Sequence, residues 1–194
     1  MNKKEMNGRD LLLSFLYSPG LEERVNEKII GRTKIQKMMF LFEEQLYPNF
    51  FQESLQIALP GFNPYYFGPF SKELYDYLSF FLSIGMIKAE DTSIPLSKAD
   101  SIENFDLEND SPDVTFEVDC DNSDKYEREY FLSDIGVRYV EENIWNKFSH
   151  IQKLKLKEFK SKINQLSLDS LLSYVYNKYP EQTINSIIAK KYLK

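Results

Sequence analysis

Few residues in this chain of 194 are of the types that perform covalent chemistry. His150 is the only histidine, so a nucleophile–histidine pair would have to use it, and no nucleophile motif lies near it. Cys120 is the only cysteine, and it stands between Asp119 and Asp121, whose carboxylates disfavour a reactive thiolate. The sequence therefore predicts a protein that is not an enzyme, with a structural or solvent-facing role for His150.

A calcium loop is the metal site that the acidic residues suggest, because hard cations bind clustered carboxylates. Four acids from Asp106 to Glu117 fall at positions 1, 3, 5 and 12 of such a loop. Ser111 stands where the turn glycine is required, Pro112 follows it, and no pair of helices flanks the segment. We therefore expect a solvated acidic loop, with no metal and no other cofactor.

Charge is distributed unevenly along the chain. The net charge is −6 and the pI is about 5.0, and residues 88–129 alone carry 14 acidic and 4 basic residues. An acidic surface weakens contacts with phosphate, so the composition disfavours a broad electrostatic grip on nucleic acid. A long acidic segment instead favours attraction of a basic protein partner.

The compartment can also be predicted from the sequence. No apolar run approaches the roughly 18 residues of a membrane helix, and residues 1–10 are polar rather than an apolar signal segment. A single cysteine fits a reducing compartment. We expect a cytoplasmic protein with no membrane partner.

Apolar residues at helical spacing predict the elements of the first half. One helix covers residues 11–16 and ends at Pro19, and a short helix over 25–30 is expected to follow. A longer helix over 33–47 buries one face. Another helix over 71–84 begins with Ser71 as its N-cap, and its predicted outward residues are Lys72, Glu73, Asp76, Ser79 and Ser83.

Strands and further helices are predicted beyond Gly85. Short strands are expected at 86–88, 114–118 and 128–132, with a solvated loop over 90–111 and a helix capped by Ser133. Three C-terminal helices follow, over 148–166, over 168–176 and from about residue 183. The outer face of the first is rich in lysine: Lys153, Lys155, Lys157, Lys160 and Lys162.

This order of elements is typical of a winged helix. We predict a mainly α fold with a small antiparallel β-sheet. Residues 1–147 form a winged-helix-like core, in which about 88–129 are an acidic wing insertion and the helix over 71–84 holds the recognition position. Residues 148–194 form a C-terminal helical region packed on that core.

Three segments carry a resemblance to known proteins: GRTKIQKMMF at 31–40, YFGPFSKEL at 66–74 and YFLSDIG at 130–136. They resemble the YwgA-type uncharacterised bacterial and archaeal proteins, and more loosely the SocA-like (Panacea) antitoxin domain. The resemblance implies a winged-helix-like fold and, for the antitoxin relatives, neutralisation of a toxin by direct protein contact. It implies no enzyme activity. The acidic insertion has no counterpart in the pattern, so the resemblance does not name the partner.

These observations predict an interaction or regulatory protein, antitoxin-like or an adaptor, that binds a protein partner. DNA-binding transcription regulation is the alternative, since winged helices often place a helix in the major groove. A homodimer is also open, in which the lysine-rich face receives the acidic wing of a second copy. The residues expected to contact a partner are Arg32, Lys34, Lys37, Tyr66, Lys72, Tyr75 and Asp76.

Overall fold

The computed structural model describes residues 4–95 and 126–193. The α-helices are α1 (Gly8–Tyr17), α2 (Arg32–Leu41), α3 (Lys72–Ser83), α4 (Asp134–Asn143), α5 (His150–Gln165), α6 (Leu168–Lys178) and α7 (Ala189–Tyr192). The strands are β1 (Lys4–Met6), β2 (Ile29–Ile30), β3 (Leu55–Ile57), β4 (Asn63–Tyr65), β5 (Gly68–Phe70), β6 (Ile87–Pro95) and β7 (Tyr126–Leu132). Short 3₁₀ turns cover Trp145–Lys147 and Pro180–Thr183. The predicted mainly α class with a small antiparallel sheet is confirmed.

Helix α1 is the central element of the core. The side chain of Asn7 caps it by accepting a hydrogen bond from the Asp10 amide at 2.7 Å, and the helix ends before Pro19, as predicted. Every residue of α1 except Arg9 is buried. A helix buried on all sides needs neighbours on all sides, and α3, α4 and β7 are among those that supply them.

One hydrophobic cluster joins the two halves of the described chain, from Met6 to Tyr192. The ring of Phe15 lies at its centre, edge-on to Phe42 at 5.2 Å and to Phe159 at 5.9 Å between ring centroids. Aromatic pairs of this geometry add to the burial of apolar surface. The C-terminal helices are therefore part of the packing that holds α1 and α2.

A three-stranded antiparallel sheet has the order β2-β7-β6. Ile29 pairs with Tyr130 on one side of β7, and Leu132 pairs with Ile87 on the other. Because side chains alternate along a strand, these residues face the core together, while the intervening ones face outward. The strands predicted at 86–88 and 128–132 are confirmed.

Strand β6 runs farther than the sequence predicts. Residues 90–95 were expected in a solvated loop, yet they continue the strand to Pro95. Strand β7 pairs with this extension, and Arg128 donates a hydrogen bond at 3.2 Å to the carboxylate of Asp91 opposite it. Pairing across the strands overrides the polar composition that favours a loop. The strand predicted at 114–118 and the rest of the acidic insertion lie outside the described residues.

The prediction of a short helix over 25–30 is wrong. Ile29 and Ile30 form strand β2, and Asn26 before them has a positive φ of 60°. The amide side chain of Asn26 donates to the carbonyl of Leu132 at 2.9 Å and accepts from its N–H at 2.7 Å. β-Branched residues beside a paired strand favour the sheet over a helical turn.

The prediction of a last helix from about residue 183 is also wrong. The chain makes a 3₁₀ turn at Pro180–Thr183, then irregular turns, and only Ala189–Tyr192 is helical. The N–H of Ile187 donates to the carbonyl of Tyr66 at 3.1 Å, so this segment packs along the β4–β5 hairpin. That tertiary hydrogen bond replaces the one that a helix would have made.

Two features lie beyond the sequence prediction. Beyond Leu41 the helix of α2 continues with π-helical hydrogen bonding over Phe42–Phe51, past the predicted end at 47. Strands β1 and β3 form a parallel pair, with Lys4 opposite Leu55. Two three-residue strands carry too little periodicity to be recognised from a sequence.

Candidate functional site

Helix α3 presents the surface that the sequence predicts for it. Ser71 caps the helix by accepting a hydrogen bond from the Leu74 amide at 3.1 Å. Leu74, Leu78 and Phe81 point into the core. The five residues predicted to face outward are all exposed: Lys72, Glu73, Asp76, Ser79 and Ser83. The exposed face therefore carries one cation and two carboxylates.

Arg32 opens helix α2 and reaches across to two tyrosines. Its Nε donates to the hydroxyl of Tyr130 at 2.9 Å, and its Nη1 donates to the hydroxyl of Tyr75 at 3.3 Å. The guanidinium also lies over the Tyr75 ring, 5.5 Å from its centroid. Of the predicted partner-binding residues, Arg32 and Tyr75 are therefore in contact. Together with the hydrogen bond to Tyr130, this contact joins α2, α3 and β7, the central strand of the sheet.

The other two cations of α2 point in different directions. Lys34 is half-buried, and its ammonium donates to the carbonyl of Leu166 at the end of α5, at 2.8 Å. Lys37 is fully buried and donates to the carbonyl of Pro69 at 3.0 Å. The predicted basic group thus does not converge on one exposed surface. Each of its members links helix α2 to another element.

Tyr66 lies on the β4–β5 hairpin, apart from the contact between Arg32 and Tyr75. Its ring packs on Tyr65 with 4.5 Å between centroids, and its carbonyl accepts from the Ser186 hydroxyl at 2.9 Å. The half-buried ring therefore serves the junction between the hairpin and the C-terminal segment.

The β6–β7 hairpin carries a small ion cluster on its outer face. Glu90 and Glu129 stand directly opposite each other, and the ammonium of Lys28 contacts both carboxylates, at 3.3 Å in the case of Glu90. The two carboxylates hold the pKa of Lys28 above its usual value. One lysine thus bridges a like-charged pair that would otherwise repel across the strands.

A groove of about 560 Å³ runs between this outer sheet face, the loop before β2 and the end of α5. Its lining residues include Leu21, Val25, Lys28, Lys34, Phe131 and Asn164. The amide nitrogen of Asn164 donates to the Glu27 carboxylate at 2.7 Å, whereas its Oδ1 has no hydrogen-bond partner among the described residues. No local sequence pattern indicates this groove, because its walls come from segments far apart in the chain.

Lys160 is fully buried and contacts Glu27, one of the residues that line the groove. Its ammonium donates to three backbone carbonyls, those of Leu16, Ser18 and Glu27, at 2.9, 2.7 and 2.6 Å. Burial lowers the pKa of Lys160 to about 7, and the nearby Glu27 carboxylate opposes that shift. The prediction that Lys160 belongs to an exposed lysine-rich face is therefore wrong, because the side chain is buried where three backbone carbonyls accept from it.

Two further lysines of the predicted lysine-rich face have acidic neighbours on the protein itself. The ammonium of Lys155 pairs with Glu158 at 2.8 Å, and that of Lys157 pairs with Glu23 at 3.0 Å. Because Lys160 is also buried, the lysine-rich face presents less positive charge to a second copy of the chain than the sequence predicts.

The groups considered for catalysis and metal binding do not assemble into a site in the described residues. His150 begins α5 and is exposed, in line with the solvent-facing role predicted for it. Within 4–95 and 126–193, no three His, Cys, Asp or Glu side chains are grouped to hold a metal ion, and no helix could cross a membrane. Cys120 and the acids from Asp106 to Glu117 lie outside these ranges.

Comparison of the chain with protein-family models, with curated proteins and with solved structures finds no match.

Proposed function

We propose that this chain is a non-enzymatic, winged-helix-like interaction protein that binds a protein partner through the exposed face of α3 and the β6–β7 hairpin. In this proposal α1, β2, α2, α3 and the hairpin form the winged helix, α3 holds the recognition position, and the hairpin is the wing. The sheet order β2-β7-β6, with the strand between α1 and α2 at one edge, supports this assignment.

One observation carries the preference for a protein over DNA: the three cations of helix α2, which the sequence predicts as a basic group, already donate hydrogen bonds within the fold. Arg32, Lys34 and Lys37 each bind a tyrosine hydroxyl or a backbone carbonyl. What α3 exposes instead is mainly acidic, through Glu73 and Asp76. Phosphate contacts supply most of the affinity for DNA, so this surface opposes DNA and favours a basic protein.

The hairpin extends the same charge. Its two strands contain four acidic and two basic residues, so the proposed wing is acidic even without the segment between the strands. An antitoxin-like role, which the resemblance to the YwgA-type and SocA-like proteins implies, is one form of this proposal. It requires direct protein contact and no catalysis.

DNA-binding transcription regulation is the second candidate. Arg32 and Lys34 remain half-exposed at the start of α2, and a dimer that brings two copies of this turn together would concentrate positive charge. Under this alternative, the acidic hairpin has to lie away from the duplex.

A pull-down of the tagged protein from extract of its own cells tests the proposal. Extract is treated with nuclease and washed at low and at high salt, and retained proteins are identified by mass spectrometry. The variant with Glu73→Lys and Asp76→Lys reverses the charge of α3, and Glu53→Lys with Glu181→Lys, at exposed positions elsewhere, is the control with the same change in net charge. We expect a stoichiometric, salt-sensitive protein that the wild type and the control retain and the α3 variant loses. Recovery of specific DNA fragments from an untreated sample, with no protein partner, would favour the second candidate.

A further inference from the structure

Helix α3 carries an exposed apolar ridge beside its acidic residues. Phe80 and Ile84 are four residues apart, so they lie one above the other on the helix, and 44% and 49% of their surfaces are exposed. The guanidinium of Arg9, at the start of α1, lies 5.4 Å from the centroid of the Phe80 ring. The ridge therefore borders the one residue of α1 that is not buried.

Helix α4 carries a second ridge of the same kind. Ile135 and Tyr139 are also four residues apart and are 59% and 40% exposed. The hydroxyl of Tyr17, the last residue of α1, donates to the carboxylate of Glu141 of α4 at 2.9 Å, so α4 packs along α1. Both ridges thus lie on helices that pack against α1.

The two ridges meet at the turn that ends α3. The Ser133 hydroxyl, at the cap of α4, donates to the carbonyl of Gly85 at 2.7 Å. A Cβ on Gly136 would lie 2.3 Å from the carbonyl oxygen of Met86, so glycine is what allows α4 to approach the turn this closely. Ile84 directly precedes Gly85, and Ile135 directly precedes Gly136, so an exposed apolar residue of each ridge lies next to this junction. We define the α3–α4 surface as Phe80, Ile84, Ile135 and Tyr139.

Acids outnumber cations on the helices that carry the α3–α4 surface. Helices α1, α3 and α4 together contain six acidic and three basic residues. Glu73 and Asp76 lie on the α3 side, and Glu141 and Glu142 lie on the α4 side, all exposed. An apolar strip with acidic margins at its two ends is complementary to an apolar stripe with basic margins.

We propose that the α3–α4 surface binds an amphipathic helix of a partner protein, one whose apolar stripe is flanked by lysine and arginine. The inference rests on the proposed function and names the chemistry of its partner. Apolar residues spaced three and four apart on such a helix fill the strip, and the flanking cations meet the acids of α3 and α4. A second copy fits less well, because a two-fold contact through this surface sets acid against acid. Anionic lipid and nucleic acid are repelled by the same margins.

Binding of two synthetic helices to the full chain tests the inference. Each has about 18 residues with the same leucine stripe, and the remaining positions are lysine in one peptide and glutamate in the other. Titration is followed by amide NMR at about 0.15 M salt. We expect the lysine peptide to shift signals of α1, α3 and α4 and to bind at least about tenfold more tightly than the glutamate peptide.

Matched variants separate this surface from general attraction to an acidic protein. Phe80→Ser with Ile135→Ser removes apolar area from the strip without changing charge, and Ile151→Ser with Ile184→Ser removes it from exposed positions elsewhere. We expect the first pair of substitutions to lower the affinity for the lysine peptide by at least about tenfold and the second pair to leave that affinity unchanged. Equal binding by all three proteins, or signal shifts outside α1, α3 and α4, would overturn the inference.

The two proposals fail separately. A partner retained in the pull-down and lost with Glu73→Lys and Asp76→Lys, together with no binding of the lysine peptide, would leave the proposed function standing and reject the basic helix. Peptide binding that requires Phe80 and Ile135, together with a pull-down that yields only DNA, would uphold the helix-binding surface and reject a protein partner dependent on the α3 charges.

Discussion

The ammonium of Lys160 donates a hydrogen bond of 2.6 Å to the backbone carbonyl of Glu27, which lies 133 positions earlier in the chain. The same ammonium holds the carbonyls of Leu16 and Ser18 at the end of α1, where the helix dipole favours a positive charge. One side chain thus ties the beginning and the end of the loop that forms a wall of the groove.

Lys160→Met is expected to lower the free energy of unfolding by about 3 kcal/mol, because it leaves three buried carbonyls without their donor while keeping most of the side-chain volume. Urea denaturation measures the change. Lys162→Met, at an exposed position of the same helix, is the control and should alter stability by less than about 0.5 kcal/mol. A Lys160→Met protein as stable as the wild type would show that the loop does not depend on the ammonium.

The charge of Lys160 should make stability depend on pH. Burial lowers its pKa from the ordinary 10.5 to about 7, so between these values the unfolded chain binds the proton more tightly than the folded protein does. The free energy of unfolding contributed by this residue therefore rises with pH from about 7 to 10.5 and has no slope below that window. Measured from pH 6 to pH 10, the free energy of unfolding of the wild type should rise relative to that of Lys160→Met as the pH rises. A constant difference would contradict the lowered pKa.

A buried amide couples α2 to the start of α3. The Nε2 of Gln36 donates to the carbonyl of Ser71, and its Oε1 accepts from the Ser71 N–H, both at 3.0 Å. Gln36→Leu should cost about 2 kcal/mol, because two buried backbone groups lose their partner. Thermal or urea denaturation measures the loss, with Gln165→Leu at an exposed position as the control. Equal stability of the two variants would argue against this coupling.

Gln36→Glu should make the strength of the same contact depend on pH. The carboxylate can accept from the Ser71 N–H, but it has no proton to donate to the Ser71 carbonyl, and the charge is buried. Burial should raise the folded-state pKa of the new carboxyl, so stability is lost as the pH rises through that value and is regained as the pH falls. Denaturation at pH 4.5 and at pH 8 compares the two states. If Gln36→Glu is destabilised equally at both, a proton on the carboxyl does not restore the contact.

Sequence reasoning succeeded where local contacts decide the structure. Ser71 and Ser133 were predicted as caps, and each accepts a hydrogen bond from an amide three residues ahead. The amphipathic spacing of α3 likewise predicted its exposed residues. Such features depend on one turn of chain, so a single sequence carries them. The failures at 25–30 and beyond residue 183 have another cause, because there a distant backbone group supplies the hydrogen bond.

Buried lysines were missed because the residue type favours the surface, yet a signal was available. Lys160 lies four residues after Leu156 and three before Ile163, both buried, so it interrupts the apolar stripe of α5. Lys37 lies four residues before Leu41, which is also buried, so it interrupts the apolar stripe of α2 in a similar way. A cation on the apolar side of a helix indicates an interior acceptor. Which carbonyls accept depends on loops 130 or more residues away for Lys160, and no local pattern names them.

The ion cluster on the hairpin yields a last prediction. Glu90 and Glu129 face each other across β6 and β7, and Lys28 bridges them. Lys28→Met should lower stability by about 0.5 kcal/mol at low salt, because the two carboxylates then repel without a cation between them. Adding Glu129→Gln removes the repulsion and should restore most of the loss. The measurement is a thermal melt of both variants at low and at high salt, with Lys88→Met, on the same strand as Glu90, as the control. Destabilisation by Lys28→Met that neither salt nor Glu129→Gln relieves would mean that Lys28 acts through its packing over the Phe131 ring, 4.8 Å away, rather than through the carboxylates.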